Sequence, residues 1–272
     1  MMADHKIAIE ADANKREELK GFLYKYWPDT IEILHGLRLG KDHNAKILID
    51  NWPDVKTVIL TYDEGETTLI FSFGTDNSKT ASILRSVIDL HLNDSQQIFT
   101  YGFAEIFQET KKFNVDINYE PFFRYVYTTD TVIERPTLPE GYKIDIIHSS
   151  DIDFVVSKWG LAKGSLKMKQ LMRRYITNYP NVAIYDTSIE PPRLVSWNVS
   201  SAIGCLYHFF TVEEHRGKGL GTIVKIELLQ KILAKGITPF SYIYTDNAKA
   251  QTISEKIGFV RGSLLAAQLI LH

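Results

Sequence analysis

Three alternate glycines, Gly217, Gly219 and Gly221, stand within the run Thr211-Val-Glu-Glu-His-Arg-Gly-Lys-Gly-Leu-Gly-Thr222. Glycine lets a backbone turn sharply and approach a ligand closely, and a run of glycines exposes consecutive N–H groups. The turn follows a strand expected over 203–212 and opens a helix expected over 220–235. The first N–H groups of a helix are unpaired and its dipole is positive there, so this junction suits a diphosphate. The backbone from Arg216 to Gly221 through Leu220, together with the Thr222 hydroxyl, would hold the anion. Thr211 and Val212 lead into the turn, and Lys218 and Arg216 would neutralise the charge. A plain strand-to-helix turn would look the same in isolation. Gly217-Lys-Gly-Leu-Gly221 lacks the Gly-x-Gly-x-x-Gly spacing of a dinucleotide fingerprint, and Lys218 precedes Gly219 where a P-loop needs Gly-Lys-Ser/Thr.

A second stretch narrows the reading. After a strand expected over 239–245 comes Asn247-Ala-Lys-Ala-Gln-Thr-Ile-Ser-Glu-Lys-Ile-Gly-Phe259. Arg216, Gly219 and Gly221, with Asn247, Ala250, Ile253, Lys256, Gly258 and Phe259, resemble the two signatures of the GNAT superfamily of acyl-CoA-dependent N-acyltransferases. The resemblance implies coenzyme A or acyl-CoA as co-substrate, with the pantetheine arm between the two strands. It implies that Asn247 bonds the pantetheine or caps its helix. One position departs: the family's tyrosine, which protonates the leaving thiolate, falls on Ser254.

Further segments resemble glycine N-acyltransferases: Leu48-Ile-Asp-Asn-Trp-Pro-Asp-Val-Lys-Thr-Val-Ile-Leu60, Val156-Ser-Lys-Trp159, Arg173-Arg-Tyr-Ile-Thr-Asn-Tyr-Pro180 and Leu194-Val-Ser-Trp197. The resemblance runs from about residue 36 to 260. It implies transfer of an acyl group to the amine of glycine or a similar small amino acid, in a family whose members are often mitochondrial. The subfamily's glutamate base is missing, because Gly204 is followed by Cys205.

Attack of an amine on a thioester needs a neutral amine, a stabilised oxyanion and a protonated leaving thiolate. A positioned base contributes about 10²–10⁴-fold. His208 titrates in the useful range and is the candidate base, although a histidine on an aromatic-rich strand also reads as packed structure. Cys205 as a nucleophile would need a lowered pKa and a histidine partner, and it reads equally as a small buried hydrophobe. Ser254, one helical turn after Ala250, can face the sulfur, yet serine is a poor acid; a water held by Ser254, or Tyr242 or Tyr244 from the neighbouring strand, could protonate the thiolate instead. Glu213, Glu214 and His215 are further base candidates near this strand, but Glu213 and Glu214 read as a solvated corner or a cap, and His215, beside the phosphates, would touch them rather than perform catalysis.

The elements that must position these residues alternate between strands and helices. Helices are expected over 15–26, 45–51, 77–93 and 104–112, and strands over 56–62, 67–73, 97–101 and 119–128. Two prolines and a glycine in Glu134-Arg-Pro-Thr-Leu-Pro-Glu-Gly141 mark a boundary. A strand over 142–147, a helix opened near Ser150, a helix over 168–178, strands over 182–186 and 194–200, and a last strand over 261–271 complete the second half. The expectation is an α+β chain with an N-terminal domain over 1–136 and a C-terminal GNAT-like domain over 137–272. The first half has a similar cadence without the glycine turn, as a degenerate copy would.

The chain has 272 residues with 31 basic and 33 acidic side chains, a net charge of −2, so no nucleic-acid or membrane footprint is expected. A single cysteine excludes an internal disulfide and a multi-thiolate zinc site, and no metal is expected. No apolar run reaches the about 18–20 residues of a membrane helix, and no secretory start is visible, so an intracellular protein, cytoplasmic or mitochondrial, is expected. Its partners would be acyl-CoA and an amine acceptor. A non-catalytic acyl-CoA-binding relative, or an acetyltransferase acting on a protein or polyamine, are the competing readings.

Overall fold

The computed structural model describes residues 8–92, 97–110, 120–129, 133–160 and 165–270. The chain divides into two compact units, Met1–Phe123 with Gly262–His272, and Arg124–Arg261.

The first half runs β1 (Ile9–Glu10), α1 (Ala13–Lys25), α2 (Ile31–Gly36), β2 (Lys46–Ile49), β3 (Thr57–Glu64), β4 (Thr67–Gly74), α3 (Asn77–Leu92), β5 (Gln97–Phe103), α4 (Ala104–Thr110) and β6 (Glu120–Tyr127). The second half runs β7 (Tyr142–Asp145), α5 (Ile152–Ser157), α6 (Leu166–Asn178), β8 (Asn181–Asp186), β9 (Arg193–Ser200), β10 (Cys205–Thr211), α7 (Leu220–Leu233), β11 (Phe240–Tyr244), α8 (Ala248–Lys256) and β12 (Phe259–Ile270). The order of strands and helices is the same in both halves.

In the first unit the strands lie in the order β1-β2-β3-β4-β5-β12. The strand β12 runs antiparallel to β5, from Leu265 opposite Phe103 to Ile270 opposite Ile98. The core there packs Ile83, Leu84, Val87 and Ile88 of α3 on Ile59, Ile70 and Ile98. Fully burying each such side chain stabilises the unit by about 1.5–3 kcal/mol. In the second unit the order is β6-β11-β10-β9-β8-β7, and the Tyr127 N–H donates to the Pro239 carbonyl. Each unit thus takes its strand beyond the fifth position from the end of the other half. That exchange is why the contact boundary falls at 123/124 and gives residues 262–272 to the first unit, where the sequence reading divides the chain at 136/137.

One expected helix is a strand. Residues 45–51 contain β2, whose Ile47 pairs with Leu60 and whose Ile49 pairs with Val58. A short apolar run has no period of its own to separate helix from strand, and the neighbouring β3 decides it. The helix α2 is buried along Ile31–Gly36, and its six residues are too few to establish a helical period in the sequence.

Candidate active site

Two parallel strands of the second unit part early. The strands β10 and β11 share register only at Cys205 opposite Phe240 and Leu206 opposite Ser241. The corresponding strands of the first unit, β4 and β5, stay in register over five positions, from Thr67 opposite Gln97 to Phe71 opposite Tyr101. A bulge drives the parting. Against β9, Tyr207 lies opposite Val199 and Phe210 opposite Trp197, so the bulged strand carries one extra residue. His208 sits in it with φ of 36°, in the left-handed region. Asn198 holds the entry to the bulge by donating Nδ2 to the Tyr207 carbonyl at 2.6 Å. Its Oδ1 is buried with no hydrogen-bond partner among the described residues.

The mouth of this opening leads to the glycine turn. A short 3-10 turn, Glu213–His215, brings the chain round to Arg216. Gly217 and Gly219 both have φ of 78°, and a Cβ at either would meet nothing within 4 Å, so these two are required by backbone conformation. Gly221 is required by contact instead: a Cβ there would lie 2.8 Å from Cζ of Phe209. Gly219 is the residue before α7 and offers no side-chain cap, so the first N–H groups of that helix are left open. At the equivalent place in the first unit, Asp76 accepts from the Lys79 N–H at 3.0 Å and puts a carboxylate over the helix start. An anion is therefore favoured at α7 and repelled at α3.

The side chains of the turn are partly tied to protein. Arg216 Nε donates to the Thr211 carbonyl at 3.0 Å, and its guanidinium lies over the Phe210 ring. Lys218 Nζ donates to the Tyr142 hydroxyl at 2.9 Å, and that hydroxyl lies 2.9 Å from Nδ1 of His215. With Tyr142 donating to Nδ1, the remaining His215 proton on Nε2 points to Asp186, 4.0 Å away. Thr211 Oγ1 is 2.9 Å from Ser196 Oγ, and the Val212 N–H donates to the Val195 carbonyl. Thr222 is half-buried in the first turn of α7, behind the buried Leu220. Asn247 caps α8 by accepting from the Ala250 N–H at 3.2 Å. Tyr142 lies 73 residues from His215, so no local pattern could have revealed its fastening of the turn.

The three chemistry candidates fall in different surroundings. His208 Nε2 lies 2.8 Å from the Val155 carbonyl, which can only accept, so Nε2 carries the proton. The ring packs between Trp159 and Trp197, and burial pushes its pKa down to about 4, partly offset by the bond to Val155. A neutral imidazole with so low a pKa is a weak base near pH 7; its geometry is that of a clamp on the bulge. Cys205 is 1 % exposed, with Sγ 3.8 Å from the Leu206 carbonyl, the geometry of a packed thiol rather than of a histidine-activated nucleophile. Ser254 is fully buried; its hydroxyl donates to the Ala250 carbonyl at 2.7 Å and accepts from Lys225 Nζ at 2.5 Å.

Lys225 is the residue that sequence reasoning missed. It is 3 % exposed on α7, with Nζ 4.9 Å from the centre of the Phe259 ring and 5.9 Å from that of Phe209. Burial pulls its pKa down from 10.5 to about 7, and the Cys205 thiol acts in the opposite direction. A signal was present in the sequence, a lysine inside the apolar run Ile223-Val-Lys-Ile226.

Among the described residues no helix is long and apolar enough to cross a membrane, and no group of three His, Cys, Asp or Glu could hold a metal ion.

The chain is similar in sequence and in fold to known proteins. The model of a family described as FR47-like protein matches residues 181–264. A glycine N-acyltransferase of Bos taurus is 24 % identical over 249 residues, covering 81 % of this chain and 83 % of its own. A solved Drosophila protein superimposes with a TM-score of 0.76 at 14 % identity over 97 % of this chain and 98 % of its own. A tandem GNAT protein from the clavulanic acid biosynthesis pathway matches with a TM-score of 0.56 at 12 % identity, over 97 % of each chain.

Proposed function

We propose that the chain is an acyltransferase of the glycine N-acyltransferase-like family of the GNAT superfamily and that it moves an acyl group from acyl-CoA directly to the amine of glycine or a similar small amino acid, a reading supported by its similarity to the glycine N-acyltransferases and to the FR47-like model. The observation that carries this reading is the pairing of β10 with β11 at only two positions, opening onto the uncapped start of α7. The opening suits an extended pantetheine arm bonding to strand edges. The helix start and the turn 216–221 suit its diphosphate.

The first unit keeps the order of elements but holds β4 and β5 in register and caps α3 with Asp76. It is a degenerate copy of the second unit that no longer accommodates acyl-CoA, and residues 137–261 carry the catalytic site.

The bulge at His208 and Phe209 has no register partner on β9, so its backbone is free to turn an N–H toward the developing oxyanion. His208 secures that backbone through Val155. The amine acceptor approaches from the side of the bulge where Trp159 and Tyr207 pack, and it loses its proton to water or to a group of its own. The relatives named glycine N-acyltransferase and glycine N-phenylacetyltransferase support a small amino acid as acceptor.

The test is release of coenzyme A thiol from a panel of acyl-CoAs with glycine, glutamine, spermidine or a lysine peptide. Release stimulated by glycine or another amino acid supports the proposal. Stimulation by spermidine or the peptide alone would transfer the activity to a polyamine or a protein. Tight coenzyme A binding with no stimulated release would make the chain a binding protein.

A further inference from the structure

The site described above lacks the phenol that the superfamily signature places at residue 254, and the serine there cannot replace it. Ser254 has one hydroxyl proton, and that proton is donated to the Ala250 carbonyl at 2.7 Å. What reaches the same point is the ammonium of Lys225, from the facing turn of α7, at 2.5 Å from Ser254 Oγ. We propose that Lys225, positioned by Ser254, is the proton donor to the departing coenzyme A thiolate; this assignment rests on the acyl-transfer reading.

The surroundings of Nζ support it. From β10 it is faced by the Cys205 thiol and the Phe209 ring, from α8 by Ser254, and from the start of β12 by the Phe259 ring. The titratable neighbour is the thiol. The two ring faces attract a cation without taking its proton. Phe209 belongs to the bulge itself, so the ring that Nζ faces at 5.9 Å comes from the point at which β10 and β11 part. Burial holds the ammonium at a pKa of about 7, where it both carries a proton at neutral pH and releases one readily. The bond to Ser254 and the two rings give it a fixed aim.

The step balances as follows. The neutral amine attacks the thioester carbonyl carbon and a carbon–nitrogen bond forms. The carbon–sulfur bond then breaks with its electron pair on sulfur. The Lys225 ammonium gives a proton to that sulfur and becomes a neutral amine, the new amide nitrogen loses its extra proton to water, and Lys225 is reprotonated from solvent.

Two readouts test the assignment, one of them independent of any acceptor. The first is the ultraviolet titration of the thiol of coenzyme A bound to the full chain, with desulfo-coenzyme A as blank. In the wild type thiol and lysine titrate as a coupled pair, and thiolate appears at lower pH than for free coenzyme A because a thiolate forming beside Lys225 keeps it an ammonium; in Lys225→Met the titration returns toward that of the free thiol. The second is the pH profile of kcat with the acceptor found above. Lys225→Met lowers kcat at least about 10-fold, within the range of a general acid, while KM for acyl-CoA changes less than about 3-fold, and the alkaline fall near pH 7 disappears. Lys225→Arg retains the charge but cannot give up its proton, so the low thiol pKa persists while kcat is lost. It also serves if the methionine variant does not fold. A folded Lys225→Met or Lys225→Arg enzyme with unchanged kcat, profile and thiol titration would overturn the assignment. Absence of acceptor-stimulated release in the wild type would instead overturn the acyl-transfer reading.

Discussion

Replacing Lys225 by methionine is expected to make the protein more stable at neutral pH and no more stable in strong alkali. The folded chain holds this lysine at a pKa of about 7, against 10.5 for an ordinary lysine. The sign follows from proton binding. Between these two values the unfolded chain carries a proton that the folded chain has released, so stability rises with pH across that window. Below about pH 7 the whole cost of the buried ammonium is present, and above about 10.5 none of it is. At about 1.4 kcal/mol per pH unit the cost is at most about 5 kcal/mol. Loss of the Lys225–Ser254 hydrogen bond in the variant offsets about 1–2 kcal/mol of it. Methionine, unbranched and of similar length, keeps most of the packing against Phe209 and Phe259. The net expected gain at pH 6–7 is therefore about 2–4 kcal/mol, or roughly 5–15 °C in melting temperature. Urea unfolding of both proteins at pH 6, 7, 8.5 and 10 measures it, with m-values checked for equality. A variant less stable than wild type at pH 7, or a difference that does not shrink toward pH 10, would refute the reasoning. Such a result would mean that the ammonium is solvated or paired well enough to stabilise the fold. If the gain in stability and the loss of kcat both appear, the protein bears an unfavourable buried charge for the sake of its reaction.

Three further outcomes are expected. Gly219→Asn, a neutral residue that tolerates the left-handed region, should bind coenzyme A nearly as well as wild type, whereas Gly219→Asp, which copies the carboxylate of Asp76, should bind at least about 10-fold more weakly; equal affinities by calorimetry would remove the electrostatic argument at α7. Because His208 is held near a pKa of 4, the wild type should lose up to about 3 kcal/mol of stability as pH falls from 6.5 to 4, since the unfolded histidine takes up a proton that the folded one refuses. Urea unfolding of His208→Gln should lack that portion of the acid slope, and an unchanged slope would show that the imidazole is free to protonate in place. Tyr142→Phe removes the hydroxyl that joins Lys218 to His215 and should raise KM for acyl-CoA about 5-fold, the worth of about 1 kcal/mol, with kcat unmoved; a fall in kcat alone would contradict a role confined to the turn.

Much of the second half was legible along the chain because its signals are local. The glycines at 217 and 219 report a backbone that only glycine adopts cheaply, α7 follows from the apolar run after them, and α8 follows from its Asn247 cap. The strands β3, β4, β8 and β9 read from their own composition. The strand β2 did not, because four residues cannot establish a period and its hydrogen bonds belong to β3.

By itself the sequence determined which half carries the glycine turn ahead of a helix with no side-chain cap, since glycine conformations and open helix N–H groups are properties of a few adjacent residues. The tertiary structure decided everything that depends on two distant segments meeting. It brought Lys225 to Ser254 across 29 residues, tied His208 to Val155 across 53, and parted β10 from β11 after two pairs. Burial and through-space contact set the ionisation of both residues. A histidine that reads as a base along the chain is held neutral by its packing, and a lysine that reads as a helix residue is buried against Ser254 with its pKa pulled down to about 7.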